Sequence, residues 1–447
     1  MQEKEQISFD KDDDFDRKPV AEKMIELLLS KVDVSPMLID GKWGTGKTTF
    51  CKKSVALLEK RIDEEKLSIR CAYIDAFTAD HANEPLVTII AAISKLINTP
   101  KQKTKFLNTT KGIIRFALNT ALKAGTALIF KANYEDLGQE LSDTLKNSSD
   151  EGIKSAIDSL IKDHQEIEDN ISKLKEALAE ITKEQELIIF IDELDRCRPD
   201  FAVALIECIK HIFETPGIQF VLLANFEQLE SGIKHCYGRD IDAKLYLDKF
   251  LKFHFTLPHQ ASHYGKMDLA SVIHAKMLIQ KSLILKQSNL LNHRQYNLFL
   301  KELIEHNTLS LRQVETFIRY IEIHYTLSTE GIKTYGSTFV LLYLLVVYIF
   351  VFRKDIYYKI ITKKVSSTEL SDLVGITTEQ ISADTERASL SVSRLIHLAF
   401  RPPDKQITQT EQELLDSQLN QFFNSSNTRE NLYSFFINEF KKLQLQF

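Results

Sequence analysis

The apolar residues of this chain fall into short runs in its first half and follow helical spacing elsewhere. The runs predict buried strands at residues 37–39, 69–74, 187–191 and 220–224. Between them, apolar residues recur every three or four positions, which is typical of helices with one buried face. Strands that alternate with helices predict an α/β fold with a parallel sheet.

The second half lacks this alternation. No strand pattern follows about Pro258, and the longest apolar run covers fourteen residues at 339–352. Spanning a bilayer takes about 20 residues, so this run predicts a buried core helix. We therefore expect two domains: an α/β domain at 1–258, with a helical insertion at about 80–186, and an all-α domain at 259–447.

The amino terminus and the composition are typical of a cytoplasmic protein. Residues 1–16 are polar and acidic, and we interpret them as a frayed, charged leader and not a signal peptide. A net charge of −5 argues against nucleic-acid binding by the whole surface. The five cysteines share no Cys-x-x-Cys spacing, which favours reduced thiols and argues against a zinc site.

The residues after the first predicted strand carry a phosphate-binding signature. Residues 41–48 read Gly-Lys-Trp-Gly-Thr-Gly-Lys-Thr, which matches the pattern G-x-x-x-x-G-K-[ST] of P-loop NTPases. Such a loop points backbone N–H groups at phosphate oxygens, with Lys47 on the β- and γ-phosphates and the Thr48 hydroxyl on Mg²⁺. The predicted nucleotide-binding residues are Gly41, Trp43, Gly44, Thr45, Gly46, Lys47, Thr48 and Thr49.

A second signature ends the third predicted strand. The apolar run closes with Asp192 and Glu193, at the carboxyl end of a strand, where open α/β sheets bind ligands. We predict that Asp192 holds Mg²⁺ and that Glu193 is the general base for the water that attacks the γ-phosphate. The alternative is a strand end without function, which the matching P-loop makes weaker.

Three more polar residues are candidates for the same site. Arg196 or Arg198 is suited to stabilise transition-state charge, from the same subunit or a neighbouring one. The alternative is an ion pair with Asp192 or Asp195 that only shapes the site. Asn225 ends the fourth predicted strand and is a candidate to orient the attacking water, with a helix cap as the alternative.

Together these motifs resemble the KAP family of P-loop NTPases, over roughly residues 12–355. The two most specific elements are the tryptophan in the P-loop and the Asp-x-Leu-Asp-Arg run. The segments that carry the resemblance are the loop 41–49, Phe-Ile-Asp-Glu-Leu-Asp-Arg-Cys at 190–197, Tyr-Leu-Asp-Lys-Phe at 246–250, Phe-Asp-Arg at 15–17 and Ser-Leu-Arg at 310–312.

The resemblance implies an ATPase of the additional-strand, catalytic-glutamate class, followed by a helical lid and related to bacterial phage-exclusion ATPases. It also implies that Arg312 closes over the γ-phosphate, with an exposed residue at a helix start as the alternative. Two positions depart from the family: relatives usually have Asp at the position of Glu193 and often have Asp at that of Asn225. The first departure leaves the assignment of the base open.

One stretch is not explained by these motifs. No Asp or Glu occurs at 85–134, while residues 95–131 contain eight Lys and Arg. The basic residues of the stretch are suited to bind an anionic membrane surface, which would place the protein at the periphery of the inner membrane. They are also suited to bind nucleic acid. It also suits a hairpin buried in an oligomer, or packing against the acidic neighbour at 135–186.

We therefore predict a Mg²⁺-dependent ATPase that acts as a nucleotide-driven conformational switch. By the family resemblance, its setting is bacterial defence against phage. ATP and Mg²⁺ are the expected ligands, and a second copy or a partner protein is the expected neighbour. The alternatives are an ATP-binding scaffold with little hydrolysis and an ATP-driven nucleic-acid-binding protein.

Overall fold

The chain divides into two compact units, Met1–Pro258 and His259–Phe447. The computed structural model describes residues 7–80, 85–97, 99–123, 172, 174–213, 215–263, 266–288, 294–328, 337–375 and 428–445.

The first unit is built on a parallel sheet of five strands. The strands are β1 (Met37–Asp40), β2 (Ile69–Asp75), β3 (Glu186–Asp192), β4 (Ile218–Ala224) and β5 (Phe253–Thr256). Their order across the sheet is β2-β3-β4-β1-β5. Strand β4 therefore separates the strand before the P-loop from the strand that ends in Asp192, and the two functional motifs leave the same edge of the sheet.

Helices cover both faces of this sheet. They are α1 (Lys18–Leu29), α2 (Lys47–Glu65), α3 (Ala76–Asp80), α4 (Pro85–Leu96), α5 (Pro100–Lys123), α6 (Pro199–Phe213), α7 (Phe226–Tyr237) and α8 (Ala243–Asp248). Successive β3 residues point into different cores, with Ile189 on one face and Phe190 on the other. Both faces are buried, which explains why the strand is a continuous apolar run.

The predicted parallel sheet is confirmed, although one of its strands was missed. The four predicted runs correspond to β1 to β4. Strand β5 pairs only with β1, at the edge of the sheet, and its residues alternate between half-buried and exposed. A four-residue strand with this alternation gives a much weaker signal than a fully buried one.

The prediction of a frayed leader is wrong for residues 7–16. Phe9 is buried and packs edge-on against Phe50 of α2, with 6.0 Å between the ring centroids. The Asp13 carboxylate accepts the backbone N–H groups of Arg17 and Lys18 at 2.9 Å each. These contacts hold the segment against α1 and α2, and its polar composition concealed them.

The first part of the acid-free stretch packs against its acidic neighbour. Lys105 on α5 pairs with Glu180 at 2.6 Å, and Gln102 donates to Glu184 at 2.7 Å. Apolar side chains of α5 and of the helical segment 174–182 share one core. These contacts support the packing interpretation for residues up to 114, whereas contact with a membrane, nucleic acid or an oligomer stays a prediction; the side chains beyond residue 114 lie outside the description.

Where the structure describes it, the second unit consists of helices and one short hairpin joined by turns. Its helices are α9 (Ala270–Lys281), α10 (Arg294–His306), α11 (Leu311–Leu327), α12 (Ser337–Phe352), α13 (Lys354–Ile361), α14 (Ser367–Leu373) and α15 (Thr428–Leu443). The hairpin pairs β6 (Gln260–His263) with β7 (Lys266–Leu269). The expectation of no strand after Pro258 is therefore wrong, because strands of four mostly polar residues leave no apolar run.

Helix α12 is the centre of the second core. Its residues 340–350 are all buried, and they pack with apolar side chains of α9, α10, α11 and α15. The predicted core helix is thus confirmed. Among the residues that the structure describes, no helix has both the length and the apolar character needed to span a bilayer.

Candidate functional site

The P-loop has the local backbone that a phosphate cradle requires. Gly44 and Gly46 have φ of 76° and 85°, in the left-handed region that favours glycine. A Cβ on Gly41 would lie 2.8 Å from the Thr45 hydroxyl. The loop leads from β1 directly into the 19-residue helix α2, which begins at Lys47 and whose first N–H groups suit an anion.

Lys47 is buried within the loop. Its side chain is 8% exposed, and its ammonium donates to the carbonyl oxygen of Gly41. The same nitrogen lies 3.4 Å from the carbonyl oxygen of Lys42 and 3.5 Å from Asp195 Oδ2. The predicted phosphate lysine therefore reaches across from α2 to the turn that follows β3.

Asp192 is the last residue of β3 and is 1% exposed. One carboxylate oxygen accepts the Tyr73 hydroxyl at 3.0 Å, and the other accepts the N–H of Glu193 at 2.8 Å. Burial raises the pKa of Asp192 above its ordinary value, and these hydrogen bonds only partly oppose that effect. The charged carboxylate is thus held at an energetic cost.

Glu193 has an unusual backbone for a residue with a side chain. Its φ is 59°, a conformation that persists in functional sites when the surroundings impose it. Its Oε1 lies 3.5 Å from the Thr48 hydroxyl, so the base candidate and the start of α2 are brought together. Burial raises the pKa of the Glu193 carboxyl, although the charge of Arg196 opposes this.

These groups fit a magnesium ion that also binds nucleotide phosphates. Mg²⁺ prefers hard oxygen ligands and commonly takes one or two from the protein, with phosphates and water completing the shell. The Thr48 hydroxyl and the buried Asp192 carboxylate supply such oxygens. Within the described ranges, no group of three or more His, Cys, Asp or Glu side chains is placed to hold a metal without further ligands.

The two arginines after the acidic pair have different partners. Arg196 Nη1 lies 3.0 Å from the Glu193 carboxylate. Arg198 binds Asp80 at the end of α3, through its backbone N–H at 3.1 Å and its side chain at 3.0 Å. For Arg196 the ion-pair partner is therefore Glu193, and not Asp192 or Asp195 as considered from the sequence, because the turn after β3 directs its side chain back along its own chain.

Asn225 lies at the N-terminus of α7. It is buried, and its side-chain oxygen accepts the N–H of Glu227 at 3.1 Å. Asn is a common N-cap because its side chain satisfies a helix N–H that has no backbone partner. This contact favours the cap interpretation, and a role in orienting water stays a prediction.

Arg312 belongs to the second unit and is the second residue of α11. The helix begins with a capping box, in which Ser310 and Gln313 exchange hydrogen bonds. The Arg312 side chain is exposed, as the surface alternative expects. Its role over the γ-phosphate stays a prediction.

Two residues of the site were not assigned from the sequence. Arg17 is 5% exposed and donates to the carbonyl oxygens of Thr45, at 2.9 Å, and Pro258, at 3.0 Å. Burial lowers the pKa of its guanidinium to about 10. The Phe-Asp-Arg run at 15–17 gave a signal for Arg17, whereas Tyr73 reaches Asp192 only because β2 and β3 are neighbours in the sheet.

Comparison with known proteins gives one informative match. No curated protein sequence matches the chain at a significant level. Among solved structures, the chain is similar to the ORC2 protein of Aeropyrum pernix in its ADPNP-ADP complexes. The identity is 15%, the match covers 96% of this chain and 86% of that chain, and the TM-score is 0.34, which is too low to support an argument.

The informative match is to a family. The KAP family P-loop domain matches residues 17–328, which is more than half of the chain. The matched span starts at Arg17, includes the P-loop and the end of β3, and extends past Arg312. The chain therefore belongs to the KAP family of P-loop NTPases.

Proposed function

We propose that this protein binds ATP with Mg²⁺, hydrolyses it, and uses the cycle as a conformational switch. The observation that carries the proposal is the meeting of two motifs 145 residues apart, with the Thr48 hydroxyl 3.5 Å from Glu193. Asp192 lies beside Glu193 in the sequence; it is buried, and burial raises the pKa of its carboxyl. Carboxylates with a shifted pKa next to a phosphate loop are expected in catalytic sites.

The P-loop supplies the grip on the triphosphate. Backbone N–H groups of the loop and the N-terminus of α2 hold the phosphate oxygens, and Lys47 supplies the positive charge. Arg17 supports this arrangement, since its guanidinium donates a hydrogen bond to the carbonyl oxygen of Thr45 within the loop. A loop that is already held in its bound conformation lowers the conformational-entropy cost of binding.

Thr48 and Asp192 are the residues that would hold Mg²⁺, the hydroxyl directly and the carboxylate directly or through water. The ion would neutralise the charge that develops on the β- and γ-phosphates. Its positive charge also favours the ionised form of Asp192, which burial disfavours.

Glu193 is the proposed general base. The raised pKa of its carboxyl improves its ability to accept a proton from the attacking water, provided that it stays ionised at neutral pH. The position of β4 between β1 and β3 supports assignment to the additional-strand, catalytic-glutamate class. Arg196 is the proposed source of transition-state charge, and Arg312 of the second unit is proposed to respond to the γ-phosphate.

Phosphate release distinguishes this proposal from a nucleotide-binding scaffold. We expect Mg²⁺-dependent release of phosphate from ATP by the wild type, and a loss of about 100-fold or more in Glu193→Gln with ATP binding retained. Glu180→Gln, at an exposed ion pair on the same unit, is the control and should keep wild-type turnover. Wild-type release as slow as that of Glu193→Gln would leave only the scaffold.

The proposed setting, defence against phage in a bacterium, rests on the family resemblance, as does assembly into a homo-oligomer. Expression in a bacterial host should reduce the plating efficiency of susceptible phages, and Lys47→Ala should remove the protection. Equal plating on wild-type and variant cells across a broad phage panel would count against that setting while leaving the ATPase proposal intact.

A further inference from the structure

Asp195 is the acidic residue of the site that the proposed reaction does not use. It lies in the short 3-10 turn Leu194–Arg196 that follows Glu193, and its side chain is 2% exposed. One carboxylate oxygen, Oδ2, accepts the indole N–H of Trp43 at 2.7 Å and lies 3.5 Å from the Lys47 ammonium. A single buried oxygen thus connects the turn after β3 to two residues of the P-loop.

The Lys47 ammonium lies close to as many acceptors as it has protons. An ammonium group has three N–H donors. In the structure its nitrogen faces three acceptors, the carbonyl oxygens of Gly41 and Lys42 and the carboxylate of Asp195. A phosphate that takes a hydrogen bond from Lys47 therefore competes with these acceptors.

Asp195 is the acceptor that resembles a phosphate most closely, because it is anionic. Its charge also lies 3.5 Å from the ammonium that would hold the β- and γ-phosphates, which carry several negative charges. Like charges within a few ångströms repel strongly in a buried site. Asp195 therefore opposes nucleotide binding in two ways, by occupying Lys47 and by repelling the phosphates.

We propose that Asp195 is a positioning residue that competes with nucleotide phosphates for Lys47 and thereby sets nucleotide affinity. The inference rests on the proposed function, since it needs phosphate bound at the loop. When phosphate takes the Lys47 ammonium, the Asp195 carboxylate loses this ion pair and keeps the hydrogen bond from the indole N–H of Trp43. The affinity of the loop is in this way coupled to the turn that carries Glu193.

Trp43 gives the exchange a direct signal. It is the chain's single tryptophan, it is 50% exposed, and its indole N–H is hydrogen-bonded to the carboxylate that loses Lys47. A change in the charge environment of an indole changes its emission. Fluorescence of the intact protein therefore reports on Asp195 without any label.

The main experiment compares nucleotide affinity in isosteric variants. Asp195→Asn keeps the size of the side chain and an oxygen for Trp43 while it removes the charge that holds Lys47. We expect its Kd for ATP and ADP to fall by about tenfold, since removing a nearby like charge favours the phosphates. Asp195→Glu, which keeps the charge, should bind within about twofold of wild type.

Two further measurements separate this role from a structural one. Glu439→Gln neutralises another buried carboxylate, 5% exposed in the second unit, and should leave the Kd unchanged. In the wild type, inorganic tripolyphosphate with Mg²⁺ should change Trp43 emission, because the exchange needs phosphates and no base. That measurement also holds if Asp195→Asn fails to fold.

The outcomes distinguish this inference from the proposed function. A Kd for Asp195→Asn that is unchanged or higher, in a protein whose wild type binds and hydrolyses ATP, overturns the inference alone. Saturating tripolyphosphate without any change in Trp43 emission does the same. Wild-type protein that binds no nucleotide overturns both.

Discussion

At the scale of single residues, the proposed role of Asp192 sets function against stability. It is a carboxylate at 1% exposure whose pKa is raised by burial. A buried charge of this kind is retained in sites where a cation or a reaction uses it. Its removal should therefore abolish activity and yet stabilise the fold.

Asp192→Asn is predicted to unfold less readily than the wild type at neutral pH. Asn keeps an oxygen for the N–H of Glu193 and an amide that the Tyr73 hydroxyl accepts, while the buried charge is gone. We expect the free energy of unfolding at pH 7.5 to rise by about 1 kcal/mol, the usual gain from a single stabilising substitution. Urea denaturation without nucleotide measures it.

The sign of the pH dependence follows from the raised pKa. Between the pKa in the unfolded chain and the higher pKa in the folded protein, the folded state binds more protons, so wild-type stability falls as pH rises through that window. The gain in Asp192→Asn should therefore shrink toward pH 4. A gain that stays constant with pH, or a loss of stability at pH 7.5, would contradict the prediction. Asp33→Asn, at an exposed ion pair, is the control.

At the scale of elements, helix α7 is fixed to the sheet edge through its first residues. The Asn225 side chain accepts the N–H of Glu227, and the N–H of Phe226 is accepted by Asp40 at the end of β1 at 2.8 Å. The first turn of α7 is thus tied to the strand that precedes the P-loop. The cap and a catalytic role of Asn225 make different predictions.

Asn225→Ala should lower the free energy of unfolding by about 1 kcal/mol, the usual effect of losing an N-cap side chain. Asn225→Ser, which retains a capping oxygen on a shorter side chain, should keep wild-type stability. Both effects are measured by urea denaturation, with phosphate release measured alongside. If Asn225 acts as a cap, the stable Ser variant also keeps its turnover number; a large drop in its turnover at full stability would instead assign Asn225 to the attacking water.

At the scale of the whole molecule, each unit has its own buried core. The first unit's cores lie on the two faces of the sheet, and the second unit's core surrounds α12. Units that each bury a large apolar core are able to unfold separately. The single tryptophan is in the first unit, so its fluorescence follows that unit.

Leu344→Ala in α12 should destabilise the second unit alone. Leu344 is 2% exposed within that core, and Leu→Ala changes in cores lower the free energy of unfolding by about 2–5 kcal/mol. In urea, the circular dichroism transition should gain an early phase while the Trp43 transition keeps its midpoint. The matched Ile189→Ala, fully buried in β3, should shift the Trp43 transition. Equal shifts of both signals in Leu344→Ala would indicate a single cooperative unit.

The buried strands and the P-loop were predictable because their signals are local. A strand buried on both faces is an apolar run, and a phosphate loop needs glycines at fixed positions whose φ is positive. Edge strand β5 and the hairpin β6–β7 were missed because short, half-exposed strands carry little hydrophobic pattern. Residues 7–16 were misjudged because the contacts of Phe9 and Asp13 depend on α1 and α2 being already in place.

The sequence by itself determined which chemical groups the site contains, since the P-loop glycines, Lys47, Thr48 and the Asp192-Glu193 pair belong to contiguous motifs. Tertiary structure decided their partners. The strand order places Tyr73 on Asp192, and Asp195 meets Trp43 across 152 positions of sequence and also approaches Lys47. Such contacts depend on how distant segments pack, and no local pattern of residues records them.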